Sequence, residues 1–107
     1  MHLLLLNLLK KYFPNMDNTA RIELIKQRLS DSMSVSEIDV EDDSHKHVGH
    51  AGAKSGKGHF NLFLVSDDFD GKSLIQRHRM VYEALGDAME TEIHALSIKA
   101  HTTSEKN

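Results

Sequence analysis

The residues of this 107-residue chain that are best suited to chemistry are its eight histidines. His45, His47 and His50 form H-x-H-x-x-H inside the small, polar, glycine-rich stretch Asp42–Gly58, and His78 stands between two arginines. A neutral imidazole is a good ligand for zinc, copper, nickel or iron. The chain contains no cysteine, so any metal that it binds would be held by nitrogen or oxygen ligands rather than by thiolate.

Each of these histidines also has a simpler interpretation. For any single loop histidine, a solvated loop that happens to be histidine-rich is the more common explanation. If a helix runs from about Lys72 to Met89, His78 lies on an otherwise apolar stripe with Leu74, Val81, Tyr82 and Leu85. A lone histidine on such a stripe is more often a core residue that is hydrogen-bonded through one nitrogen. Solvated helix charges would account for Arg77 and Arg79, and a purely structural role would account for His94.

The hydrophobic periodicity predicts the elements that must position these residues. A period of three to four indicates a helix over Thr19–Ser32, and alternation from Val35 indicates a strand. A central strand, His59–Ser66, follows the long loop, and a last strand runs over Glu92–Ala100. Between them lies the helix from Lys72 to Met89, which Gly86 interrupts or ends. This order predicts one α+β domain, a three-stranded sheet with helices on one face.

The predicted domain covers residues 17–101. Residues 1–16 form an N-terminal extension whose apolar run is too short to span a bilayer. Its leucines would suit a short helix that packs on the domain or on another copy, and the alternative, which we favour, is an extension from an upstream start with Met16 as the natural first residue. Residues 102–107 are expected to form a polar tail that frays. The absence of cysteine favours a reducing, cytoplasmic location.

Several other functions find little support. Gly56-Lys57 and Gly71-Lys72-Ser73 resemble phosphate-binding loops, but the glycine required five positions earlier is absent. The G-x-x-G motif at residues 49–52 lies between predicted strands rather than between helices. No Ser–His–Asp or Cys–His pattern is visible, so we expect no catalytic activity. The net charge of −3 argues against a dedicated nucleic-acid binder.

Two stretches closely resemble the BolA family: H-F-N-L-F-L-V-S-D-D-F-D-G-K-S-L-I-Q-R-H-R-M-V-Y, over His59–Tyr82, and I-H-A-L-S-I, over Ile93–Ile98. The acidic residues before Ser44, leading into a histidine-bearing loop, resemble it too. The resemblance extends from Arg21 to Thr102. It implies an α+β fold of order α-β-β-α-α-β, similar to a class II KH domain.

The resemblance also implies a partner and a cofactor. BolA-like proteins pair with monothiol glutaredoxins, and the pair holds a 2Fe–2S cluster with glutathione. By the R-H-R motif, His78 would be one ligand; His47 or His50 would be the second, with the Gly-His-Ala context favouring His50. The lack of cysteine places the chain in the histidine-loop branch of the family. Lys72, Arg77 and Arg79 would contribute to a surface for the partner or for nucleic acid.

Two alternatives remain open at this point. The resemblance also allows, as the second choice, a DNA-binding transcriptional regulator of morphology and stress genes, and it allows a homodimer when the protein is alone. The loop histidines by themselves would also suit a simple metal binder.

Overall fold

The structure, a computed structural model, describes residues 16–44 and 57–106. Its helices are α1 (Asn18–Ser32), α2 (Leu74–Leu85), α3 (Ala88–Thr91) and α4 (Thr103–Lys106). Its strands are β1 (Glu37–Asp42), β2 (Gly58–Val65) and β3 (Ile93–His101), and a 3₁₀ turn spans Asp67–Phe69. The predicted α+β class and the order α-β-β-α-α-β are therefore confirmed, with one short helix added at the end.

Of the predicted N-terminal extension, only Met16 is among the described residues. Its side chain is partly buried and packs against the hydrophobic core. Residues 1–15 lie outside the described ranges, so the prediction that they form an extension to the domain stays a prediction.

The three strands form a single mixed sheet in the order β1-β2-β3. β1 is antiparallel to β2, and β3 is parallel to β2. The main helices pack on one face of this sheet, because alternate strand residues and one side of each helix are apolar. The buried core includes Ile25, Leu29, Phe60, Leu62, Leu64, Phe69, Val81 and Leu85.

Helix α1 begins after Asp17, whose carboxylate accepts a hydrogen bond from the Ala20 N–H at 2.8 Å. Asn18 then ties the helix to the end of β1. Its Nδ2 donates to Asp42 Oδ2 at 2.9 Å and to Ser44 Oγ at 3.2 Å. These hydrogen bonds fix the position of the chain at the end of β1.

The helix predicted from Lys72 to Met89, with an interruption or end at Gly86, ends at Leu85, and the short α3 follows from Ala88. Gly86 adopts a φ of 55°, a conformation that side-chain-bearing residues rarely adopt, and its N–H donates to Tyr82 O. Arg28 Nη1 donates to Leu85 O at 2.9 Å and to Asp87 Oδ1 at 2.8 Å, which satisfies the end of α2. The break lets α3 return the chain to the start of β3.

The polar tail predicted for residues 102–107 does not fray over Thr103–Lys106, where it forms the helical turn α4. The reason is a two-pronged ion pair: Arg77 Nη1 lies 2.6 Å from Glu105 Oε1, and Nη2 lies 2.9 Å from Oε2. The Thr102 N–H also donates to Glu105 Oε1 at 2.9 Å. These charge-assisted bonds anchor the tail against the first turn of α2.

This ion pair makes a pH-dependent contribution to stability. The hydrogen bond from Arg77, followed by that from the Thr102 N–H, lowers the pKa of Glu105 from 4.5 to about 2. Because the folded pKa is depressed, the contribution is fully present above the unfolded pKa and is lost as the pH falls through about 2. We expect Glu105→Gln to lower the melting temperature at neutral pH and to converge with the wild type in strong acid.

Thermal unfolding followed by circular dichroism across this range of pH would measure the effect. Glu83→Gln, on the exposed face of α2, is the control and should leave the pH profile unchanged. A difference in melting temperature between Glu105→Gln and the wild type that stays constant from neutral pH into strong acid would contradict the prediction.

Candidate metal and partner site

His78 lies in the first half of α2, on the helical side of the sheet. The preceding residue, Arg77, donates from Nη1 to Ala100 O at 3.1 Å, which places this part of the helix beside the C-terminal end of β3. His78 Nε2 is buried, and no residue in the described part of the chain hydrogen-bonds to it. An external metal ion could reach this nitrogen only if the surrounding side chains moved.

The loop histidines His45, His47 and His50 lie outside the described residues. The two ends of their segment are described, however. The His59 N–H donates to Ser44 Oγ at 3.0 Å, and the Asp43 N–H donates to His59 O at 2.7 Å. Segment 45–56 therefore connects the end of β1 to the beginning of β2.

These two locations are at opposite ends of the sheet. Gly58 pairs with Ile93 at the beginning of β3, whereas the R-H-R motif contacts Ala100 near its end. At about 3.3 Å per residue along the strand, Ile93 and Ala100 are roughly 23 Å apart. Within residues 16–44 and 57–106 there is no cluster of three or more metal-ligating side chains. Ligation by His78 with His47 or His50 therefore stays a prediction.

The structure does bring two other histidines together, His59 and His94. They lie at the end of the sheet where segment 45–56 connects β1 to β2. The ring centroids of His59 and His94 are 4.8 Å apart, with the ring planes at 47°. His59 is buried, whereas His94 is exposed. Gly58 pairs with Ile93 but His59 pairs with Ala95, so His94 is the extra residue of a β-bulge. The bulge turns His94 onto the same sheet face as His59.

Sequence reasoning missed His94 because it assumed regular alternation along the last strand. One signal was available. Residues on one face of a regular strand are an even number of positions apart. Ile93, Leu96 and Ile98 are all apolar, but Ile93 is an odd number of positions from each of the other two. Such a change of parity indicates a bulge between them. The parallel pairing with β2, which places His94 beside His59, leaves no such signal in the sequence.

The three cations predicted for a partner surface differ in their exposure to solvent. Arg77 directs its guanidinium inwards: Nε donates to Lys72 O at 2.9 Å, and both Nη atoms contact Glu105. Its Cζ also lies 5.9 Å from the centroid of the Phe69 ring. Lys72 and Arg79 are exposed and line a shallow groove on α2. The exposed large apolar side chains among the described residues all lie on this helix: Leu74, Ile75 and Tyr82.

These features define a small α+β protein with a mixed three-stranded sheet, helices on one face and histidines at one end of the sheet. The model of the family described as "BolA-like protein" matches residues 29–105. The chain belongs to this family, as its resemblance predicted.

Three curated relatives illustrate the relationship. The chain is 36% identical over 83 residues to the DNA-binding transcriptional regulator BolA of Escherichia coli, covering 78% of this chain and 76% of that protein. It is 44% identical over 86 residues, 76% of this chain, to SufE-like protein 1, chloroplastic/mitochondrial, of Arabidopsis thaliana. It is 40% identical over 88 residues, 79% of this chain, to the chloroplastic BOLA1 protein of the same plant. The matches span only 23% and 55% of these two plant proteins.

Solved structures agree with this assignment. The BolA domain of SufE1 from Arabidopsis thaliana superimposes with a TM-score of 0.72 at 42% identity, covering 84% of this chain and 98% of that domain. The solution structure of mouse BolA1 gives a TM-score of 0.67 at 34% identity, covering 79% of this chain and 67% of that chain. Among the described helices, none has the length and apolar character needed to cross a membrane.

Proposed function

We propose that the protein is a non-catalytic adaptor of a reducing, cytoplasmic compartment. It pairs with a monothiol glutaredoxin and, through histidine, co-ligates a 2Fe–2S cluster for iron–sulfur trafficking or iron regulation. The observation that carries this proposal is the exposed imidazole of His94. It lies beside His59, at the end of the sheet where β1 ends and β2 begins, the two strands that the histidine-bearing segment 45–56 connects.

Chain length favours His94 over His78 as the partner of a loop histidine. At no more than about 3.6 Å per residue, His47 can reach roughly 11 Å from Ser44, and His50 roughly 22 Å. Ser44 itself contacts His59, whose ring contacts His94. Either loop histidine is thus within reach of His94, whereas the end of the sheet where α2 contacts Ala100, roughly 23 Å away, is beyond the reach of His47 and at the limit for His50.

The donor set suits a shared cluster at this position. His94 offers an exposed imidazole, one loop histidine can supply a second, and the partner would have to supply the thiolate sulfur because this chain has no cysteine. Imidazole in place of thiolate makes a 2Fe–2S cluster less negative and raises its potential. Only a neutral imidazole can bind a metal ion.

The test is reconstitution of the purified protein with a monothiol glutaredoxin, iron, sulfide and glutathione, followed by visible absorption and circular dichroism. We expect His94→Ala to abolish the spectrum of the shared cluster, and His78→Ala to retain it. His101→Ala is the matched control, since His101 lies on the same strand but packs against Phe63, with ring centroids 5.7 Å apart.

The remaining outcomes are equally informative. Loss of the spectrum in His78→Ala alone would show that His78 of the R-H-R motif, and not His94, is the ligand. An unchanged spectrum in both variants would exclude both histidines as ligands. If the wild-type protein forms no complex with the glutaredoxin, the adaptor function itself is wrong. His47→Ala and His50→Ala, made separately, would identify the second ligand.

The second candidate is a DNA-binding regulator. It is favoured by the name of the Escherichia coli relative and by the exposed cations Lys72 and Arg79. The net charge of −3 and the inward-facing guanidinium of Arg77 count against strong binding. Titration of DNA affinity with salt separates the cases: sequence-specific binding at physiological salt, weakened in Lys72→Ala and Arg79→Ala, would support regulation.

A further inference from the structure

Strand β1 is an edge of the sheet in the part of the chain that the structure describes, because the strand order is β1-β2-β3. On the outer side of an edge strand, every second residue presents backbone N–H and C=O groups that no neighbouring strand pairs. Asp43, which directly follows β1, donates from its N–H to His59 O. The odd-numbered residues of β1 therefore bond to β2, and Ile38 and Val40 direct their backbone groups outwards.

The side chains of the odd-numbered residues form an acidic row along this edge. They are all exposed and share the sheet face opposite the main helices: Glu37, Asp39 and Glu41. One position of the row already faces a cation of the chain itself, since Lys106 Nζ lies 2.5 Å from Glu37 Oε2. The spacing of the carboxylates thus suits lysine or arginine side chains that recur at every second residue.

We propose that the outer edge of β1 binds an extended basic segment of another protein, which adds to the sheet as an antiparallel strand. The N–H and C=O groups of Ile38 and Val40 bond to this segment. Asp39 and Glu41 take the positions between those bonds, where opposed side chains are closest. Opposite charges at such positions stabilise strand pairing, so the segment carries lysine or arginine at alternate residues.

Charge disfavours other occupants of this edge. A second copy would oppose its own acidic row to this one, and like charges directly opposite each other destabilise strand pairing. The phosphates of a nucleic acid would meet the same repulsion. β3, which carries His94, is the opposite edge of the sheet, so the interaction does not require the exposed imidazole.

The test is fluorescence anisotropy of the full chain with a labelled peptide in which lysine alternates with valine and threonine. We expect a dissociation constant on the order of 10 to 100 µM, because the contact is small. Salt should weaken binding by screening the charges. N-methylation of the peptide at its valine and threonine nitrogens should abolish binding, since those N–H groups face β1. N-methylation at the lysine nitrogens, which face away, is the matched control and should preserve it.

Charge reversal on β1 tests the acidic row. Asp39→Lys and Glu41→Lys should each raise the dissociation constant about tenfold, and the double variant should prefer a peptide with glutamate in place of lysine. Glu83→Lys, on the exposed face of α2, makes the same change in charge and should leave the dissociation constant nearly unchanged. Amide hydrogen exchange in the complex should slow at Ile38 and Val40.

Several outcomes would overturn the proposal. One is the absence of binding at millimolar peptide. Equal binding of the two methylated peptides would be another, because it would indicate attraction by charge without strand addition. An equal loss of affinity in Asp39→Lys and Glu83→Lys would exclude a specific role for the acidic row. Thermal unfolding would verify that each variant is folded, and the comparison of methylated peptides uses the wild-type chain, so it does not depend on any variant.

Discussion

Leu85→Ala is expected to lower the free energy of unfolding by about 3 kcal/mol, and Leu74→Ala, on the same helix, by less than about 0.5 kcal/mol. Leu85 is 0% exposed and packs in the core, whereas Leu74 is 64% exposed. Truncating a buried leucine removes its transfer free energy and leaves a cavity. For a domain of this size, such a loss is a large part of the total stability.

Urea unfolding followed by far-ultraviolet circular dichroism would measure both values. If Leu85→Ala is too unstable to purify, Leu85→Met conserves most of the volume and should cost less than about 1.5 kcal/mol. Similar losses in Leu74→Ala and Leu85→Ala would mean that both leucines are buried. They would also contradict the packing of α2 described above.

Gly58→Ala is expected to cost about 2 kcal/mol, because the added methyl group has no space. A Cβ at this position would overlap the buried Phe60 ring and lie 2.9 Å from Asn18 Oδ1. Asn18 holds Asp42 and Ser44 at the start of segment 45–56, and Gly58 borders the bulge that presents His94. The substitution should therefore also weaken reconstitution of the proposed shared cluster.

Gly71→Ala is the control for this prediction. Nothing lies within 4 Å of a Cβ at Gly71, but its φ of 75° makes the substitution costly for conformational reasons alone. We expect a loss of about 1 kcal/mol and normal reconstitution. Measured by urea unfolding and visible spectra, an equal loss of both properties in the two variants would contradict a local steric role for Gly58.

The elements themselves were largely predictable. The period of α1 and the alternation in β1 placed the start of each close to its observed position, because one-sided burial imposes those periods. The apolar stripe of α2 was predicted less well. Val81 and Leu85 are buried, but Leu74 and Tyr82 of the same stripe are exposed. Whether a residue on such a stripe is buried depends on which neighbouring elements pack against it, and no periodicity within a helix reports where those neighbours end.

The candidate site, too, was predictable from the sequence only in part. The loop histidines and His78 were singled out from their types and spacing, and their role as ligands stays a prediction. His94 was passed over, although it is the accessible imidazole at the sheet end to which the loop is attached. Spacing along the chain could not distinguish His78 from His94, because both are far from the loop in sequence. Only the pairing of β3 with β2 brings one of them beside it.

By itself, the sequence determined the α+β class, the family and the absence of thiolate ligands, since these depend on residue types and local periods. Only the tertiary structure decided which histidine lies beside the ends of the loop and that Arg77 faces inwards. Those properties arise from strand register and helix placement. Both are set by contacts between residues far apart in the chain, which leave no local pattern.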